Sequence, residues 1–260
     1  MNKKEIIKKV MEKKDFSKLA WEDVERAFLH FEKREVSDEE KVRLTRELLH
    51  KVFGAFTSRK LLSPKDKSFE WILRKHLSTR ERMGFYEKIY KRVLGDFKGK
   101  ISVVDLGAGV NGFGYSYFGE AGFNVSYMAV ESVGQLVDLM NAFFKKNKLC
   151  ARAIHLSLFE SEKVKILLKE QNVPRVVFLF KVLDSLEMME KDYSKKLISE
   201  ISPCCERIVL SFATESMNKR KKFNVGRKWI FDFIKENFSV LDEFELGSEK
   251  FVVFEKRAKR

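Results

Sequence analysis

Val103-Val104-Asp105-Leu106-Gly107-Ala108-Gly109-Val110-Asn111-Gly112 is the stretch on which the reading of this 260-residue chain turns. The β-branched run at 101–106 reads as a buried strand, and glycines at 107, 109 and 112 follow it directly. Glycine lets a backbone turn sharply and approach a ligand closely, so strand, glycine-rich turn and helix in that order describe a nucleotide-type crossover. The glycine spacing matches the dinucleotide fingerprint Gly-x-Gly-x-x-Gly, but Asp105 stands immediately before the loop. A carboxylate there is unhelpful to a pyrophosphate and suits a cationic ligand. Glu131 ends the next strand, 26 residues after Asp105, where an acid can accept hydrogen bonds from both hydroxyls of a ribose. No Gly-x-x-x-x-Gly-Lys-Ser/Thr occurs, which excludes a P-loop.

Outward from this loop the same pattern repeats. Short apolar runs at 101–106, 124–130, 176–180, 207–212 and 250–254 alternate with helical stretches at 112–121, 133–147, 161–171, 191–201 and 226–237. Alternation of this kind predicts a mostly parallel α/β sheet covered on both faces. Segments 239–246 and 250–256, separated by Gly247-Ser248, predict a closing antiparallel hairpin at a sheet edge. Before residue 100 there are no strand-like runs. Segments 3–13, 21–33, 38–56 and 67–76 carry apolar residues at three- and four-residue spacings, with Ser37 and Glu40 placed as a capping box for the third. The reading is a helical region over 1–75 and an α/β domain over 76–260.

Charge divides along the same line. The chain carries 52 Lys+Arg and 38 Asp+Glu, a net +14. Residues 1–100 hold 27 and 17 of these (+10), and residues 101–260 the remaining 25 and 21 (+4). A basic helical region beside a nucleotide-type domain points to a polyanionic partner, with nucleic acid foremost. No run approaches the 18 apolar residues of a membrane span, and residues 1–16 lack the apolar core of a signal peptide, so a cytoplasmic protein is expected. Three cysteines, Cys150, Cys204 and Cys205, and four scattered histidines give neither a disulfide framework nor a zinc pattern. Three prolines, two glutamines and abundant Lys and Glu lean towards a heat-adapted composition.

The order strand, Asp-Leu-Gly-Ala-Gly, helix, strand, Glu131 resembles motifs I and II of class I S-adenosylmethionine-dependent methyltransferases. Three further segments narrow the likeness: His76-Leu77-Ser78-Thr79-Arg80-Glu81-Arg82, Val177-Phe178-Leu179-Phe180-Lys181-Val182-Leu183-Asp184-Ser185-Leu186-Glu187, and Leu210-Ser211-Phe212-Ala213-Thr214-Glu215-Ser216 with the basic Asn218-Lys219-Arg220-Lys221-Lys222 behind it. Together they resemble the aminoglycoside-resistance type 16S ribosomal RNA (guanine-N7) methyltransferases. The chain departs from that pattern at Ala213, where the family usually has Pro, at Ala108, where it more often has Cys, and in Asp184-Ser185 before Leu186-Glu187.

The resemblance implies a class I sheet behind an N-terminal RNA-binding helical domain, S-adenosyl-L-methionine as cofactor, and small-subunit rRNA or the 30S subunit as partner of a monomeric enzyme. It implies that Asp105, Gly107, Ala108, Gly109 and Glu131 hold the cofactor, with Phe180 beside them. An arginine of the His76–Arg82 segment then holds the cofactor carboxylate, Arg80 first and Arg82 as the alternate. Lys181 and Asp184, just past the fourth strand, are the candidates next to the reacting atoms. Lys219, Arg220, Lys221, Lys222 and Arg227 are the candidates for RNA contact. The isolated prolines exclude the Asp/Asn/Ser-Pro-Pro-aromatic motif common in amino-group methylation. Guanine N7 is the favoured target atom and cytosine N4 the next, since Asp184 could accept from an exocyclic amine. A non-catalytic ribosome-assembly factor on the same scaffold is the alternative from another class, with a small-molecule methyltransferase behind it.

Overall fold

The computed structural model describes residues 1–54, 68–214 and 227–257. Its strands are β1 (Lys100–Leu106), β2 (Asn124–Glu131), β3 (Ala151–His155), β4 (Arg175–Phe180), β5 (Arg207–Ala213), β6 (Phe238–Leu246) and β7 (Glu249–Lys256). They form one sheet in the order β3-β2-β1-β4-β5-β7-β6. The first five are mutually parallel, and β7 runs antiparallel between β5 and β6. Central strands need apolar side chains on both faces, and Val103, Val104, Val176, Val177 and Phe178 are all fully buried. In the register Asp105 lies between Ala129 of β2 and Phe178 of β4. The strand order reverses at the β1–β4 pair, and such a reversal opens a crevice at the carboxyl ends of the strands.

The helices are α1 (Lys3–Met11), α2 (Trp21–Leu29), α3 (Asp38–Phe53), α4 (Phe69–Lys75), α5 (Leu77–Arg82), α6 (Tyr86–Leu94), α7 (Ser116–Glu120), α8 (Gly134–Lys146), α9 (Ser161–Lys169), α10 (Leu183–Met189), α11 (Tyr193–Ile201) and α12 (Lys228–Asn237). Asn2 and Glu5 cap α1 reciprocally, and the Ser37 hydroxyl accepts the Glu40 N–H at the start of α3. The apolar faces of α1, α2 and α3 meet in Ile7, Val10, Val24, Phe28 and Leu49, which run on into the core of the sheet. The segment before α2 is fastened to the rim of β2. Leu19 bridges Val133, the Ala20 N–H donates to the Ser132 carbonyl (3.0 Å), and the Gly134 N–H donates to the Lys18 carbonyl (2.7 Å).

Several elements differ from the sequence reading. No run in the sequence locates strand β3: only Ala153 of its five residues is buried, so this edge strand has no apolar run to betray it. The stretch 112–121 forms a tight turn at Asn111–Gly114 and then the short α7, because it is broken by three glycines. The exit from β4 becomes α10, and α6 follows the His76–Arg82 segment; neither was anticipated. The closing hairpin does form, with Gly247 at φ +60° in its turn, but of its two strands β7 is interior and only β6 lies at a sheet edge. Helix α4 lies against the sheet side, with the Phe69 ring 5.7 Å from that of Phe143 on α8. Among the described residues no helix is long and apolar enough to cross a membrane.

Candidate active site

A cleft of about 850 Å³, counting its open mouth, lies at the carboxyl ends of β1, β2 and β4. Its floor is the loop after β1. Gly107 takes φ +73° and Gly109 φ +55°, in the left-handed region that favours glycine. A Cβ on Gly107 would lie 2.5 Å from Cγ2 of Val182, so this position also needs glycine for space. The Gly107 and Ala108 N–H groups donate to the Val130 carbonyl at 2.9 and 3.1 Å. Glu131 completes the fastening: Oε2 accepts the Gly109 N–H (2.7 Å) and Oε1 the Val133 N–H (2.9 Å). Burial pushes its carboxyl up to about 7, against the pull of those backbone donors.

At the other end of the cleft, Oδ2 of Asp105 accepts from Asn111 Nδ2 (2.6 Å) and from the Tyr127 hydroxyl (2.7 Å). Its Oδ1 is buried and has no partner among the described residues. Burial raises this carboxyl too, and the two hydrogen bonds oppose that. Oδ1 of Asn111 accepts in turn from Arg82 Nη1 (2.9 Å) and the Tyr86 hydroxyl (2.7 Å). Arg82, buried, forks onto Glu249 through Nε (3.2 Å) and Nη2 (2.8 Å), and its guanidinium lies 4.6 Å from the centre of the Phe180 ring. Burial disfavours its charge, but Glu249 first, and Tyr86 and Tyr90 beside it, together outweigh this and hold the guanidinium protonated. Lys181 takes φ +55°, unusual for a residue with a side chain, and its Nζ lies 3.0 Å from Glu81 Oε2 and 3.5 Å from Glu249 Oε2. His76 lines the same end; burial first, then Arg82 and Lys181, push its imidazole down to about 4, so it is neutral.

Asp105, Gly107, Ala108, Glu131, Phe180 and Lys181 therefore converge on one cleft, with Gly109 held on its edge by Glu131. Arg80 does not join them. It is exposed on α5 and stands outside the lining, whereas Arg82, half a turn further on, is buried and lines the cleft. Asp184 also stands outside the lining; it is bound to Arg227 through Oδ2 (2.6 Å) and Oδ1 (3.3 Å). This corrects the expectation for Arg227. Its guanidinium is buried, donates to the Ala213 carbonyl (2.6 Å) and lies 4.9 Å from the centre of the Phe212 ring, so it is engaged within the protein. Lys219, Arg220, Lys221 and Lys222 fall outside the described residues. The sequence reading missed Asn111, Tyr127 and Glu249. Asn111 could have been found from its place in the loop, but Glu249 meets Arg82 across 167 residues of chain and carries no local signal.

The strand order and the acid-flanked glycine loop define a class I methyltransferase fold. A family model described as Ribosomal RNA methyltransferase (FmrO) matches residues 66–245, more than half of the chain, and the chain belongs to that family. A 16S rRNA (guanine(1405)-N(7))-methyltransferase of Proteus mirabilis is 22% identical over 188 residues, which are 70% of this chain. The match spans 63% of that relative's length. Among solved structures, the 16S rRNA methyltransferase RmtF in complex with S-adenosyl-L-homocysteine superposes with a TM-score of 0.76 at 21% identity, covering 99% of this chain and 100% of its own. The 16S rRNA methylase RmtB superposes with a TM-score of 0.77 at 18% identity, covering 99% of each chain.

Proposed function

We propose that this protein uses S-adenosyl-L-methionine to methylate a base of small-subunit rRNA, with guanine N7 as the acceptor atom. The observation that carries the cofactor is the unpartnered, buried Oδ1 of Asp105. A buried carboxylate oxygen without a donor is costly, and the ammonium of an amino-acid moiety supplies one. The rest of the cleft fits the same molecule. Arg82 stands near enough to Asp105, through Asn111, to meet the carboxylate of that moiety. Glu131 would hold the ribose hydroxyls, and the backbone of the loop 107–109 would take the methionine part. Bound there, the sulfonium supplies a methyl group already activated for transfer, so that alignment is the main requirement.

The chain's residues serve alignment. Guanine N7 carries a free lone pair and needs no base to deprotonate it. The histidine of the cleft, His76, is held neutral. Phe180 and Lys181 sit at the exit of β4, where an incoming base would lie. Asp184, the acceptor a cytosine amine would require, is spent on Arg227, which favours N7 over cytosine N4. The Proteus mirabilis relative bears a guanine-N7 name, which supports the same choice. In this reading Lys219, Arg220, Lys221 and Lys222 contact phosphate, as do the basic helices of 1–75, and the protein works as a cytoplasmic monomer on the 30S subunit or its rRNA.

The test is transfer of a labelled methyl group from S-adenosylmethionine to purified 30S subunits and to naked 16S rRNA. Incorporation near one methyl per particle is expected. Cofactor binding without transfer to either would overturn the catalytic reading in favour of an assembly factor.

A further inference from the structure

The cleft has one end at Asp105 and another at Glu131, and the N-terminal helices reach the second. Asp23, in the first turn of α2, is 4% exposed and lines the cleft with Glu131 and Ser132. Val52 and Phe53, from the end of α3, line it as well. Ser132 follows Glu131 directly, and its hydroxyl donates to Asp23 Oδ2 at 2.6 Å. The backbone on either side is held, since Ala20 and Lys18 bond to Ser132 and Gly134 across the antiparallel contact. Asp23 therefore enters the cleft at a fixed position.

Its surroundings are unusual for a carboxyl that serves packing alone. Among the described residues no Lys or Arg pairs with it, and Leu158 and Phe159 form the nearby apolar wall. Burial pushes it up to about 6, while the Ser132 and Ser157 hydroxyls pull it down. His155, the basic neighbour, turns its Nε2 to the Ser132 carbonyl at 2.9 Å. An apolar side chain would dock α2 without the cost of desolvating an acid. An acceptor beside the ribose-facing residue has a use when a donor-bearing ligand occupies the cleft. Adenosine offers ribose hydroxyls and an exocyclic amine, all of them donors.

We infer that Asp23 is a cofactor-binding residue that accepts a hydrogen bond from the adenosine moiety, which makes the N-terminal helical segment one wall of the cofactor site. This rests on the cofactor reading above. By linkage, cofactor occupancy and docking of residues 1–54 then strengthen one another.

Calorimetric titration with S-adenosylhomocysteine and with 5′-methylthioadenosine, which lacks the amino-acid moiety, tests it. Asp23→Ala should weaken both ligands by the same factor, about tenfold or more, as expected for one lost buried hydrogen bond. Asp105→Ala should weaken S-adenosylhomocysteine and spare methylthioadenosine. Hydrogen exchange over residues 16–30 should slow on adding S-adenosylhomocysteine to the wild type and not to Asp23→Ala. If alanine unfolds the chain, Asp23→Asn keeps an acceptor and should lose roughly threefold, being without the charge. Ser132→Ala, which leaves Asp23 in place, should lose less than Asp23→Ala. Affinities of Asp23→Ala within twofold of wild type, or a loss fully reproduced by Ser132→Ala, would overturn the inference while the cofactor reading stands. Failure of the wild type to bind either ligand would instead sink the cofactor reading itself.

Discussion

Glu249→Ala should be the most destabilising single change at the cleft. Glu249 and Arg82 are 3% and 2% exposed at their side chains, and the fork between them is the main compensation for burying either charge. Removing the carboxylate leaves the guanidinium with Asn111, strips Ser211 of its acceptor and leaves Lys181 with Glu81. Breaking a buried pair by removing one partner costs about 3–5 kcal/mol. For a chain near this size, each kcal/mol moves Tm by roughly 2–4 °C, so a fall of about 6–20 °C is expected. Arg82→Met alone should cost a similar amount. The double variant Arg82→Met/Glu249→Leu should recover most of the loss, because apolar side chains of similar volume need no compensation. Its cofactor affinity should still be poor, because the guanidinium is gone. Thermal and urea unfolding of the wild type, Arg82→Met, Glu249→Leu and the double variant forms the cycle. Additive losses in the double variant, or a fall below about 3 °C for Glu249→Ala, would refute the view that the two charges exist for each other.

Gly107→Ala should lower cofactor affinity, since it combines left-handed strain of about 1–2 kcal/mol with the clash against Val182. Adding Val182→Ala should relieve the clash and restore part of the binding. Glu131 links pH to stability in a definite direction. Its carboxyl sits at about 7 folded against 4.5 in its ordinary state, so the native protein holds the extra proton between those values. Stability of the ligand-free protein should therefore fall as pH rises from 4.5 to 7, by about 3 kcal/mol from this residue, and Glu131→Gln should remove that share while leaving the fall that Asp23, itself raised to about 6, contributes. Lys221→Glu with Lys222→Glu should weaken rRNA binding and flatten its salt dependence while leaving cofactor affinity intact, as read by filter binding across salt concentrations.

What could be read from the chain before its structure follows from the reach of each signal. The stretch 103–112 announces strand, turn and acid locally, and Glu131 lies one crossover away, so that end of the cleft was legible. The central strands were legible because burial on both faces leaves runs such as Val176-Val177-Phe178. Strand β3 has one buried residue and left no such run. That Arg82 rather than Arg80 is the buried arginine was not legible, because a six-residue helix has too few apolar positions to phase its faces. Arg227 read as one more charge in a basic stretch, since nothing near it in sequence points to Asp184, 43 residues earlier. Glu249 and Asp23 reach the cleft through β7 and α2, and no spacing along the chain encodes that meeting.

The central claim is methylation of a guanine at N7 in small-subunit rRNA. Nucleoside mass spectrometry of 16S rRNA, after purified protein has acted on 30S subunits with S-adenosylmethionine, tests it most directly. The account predicts one new 7-methylguanosine, absent with Asp105→Ala. N4-methylcytidine in its place, or no new methylated nucleoside from a protein that binds its cofactor, would contradict it.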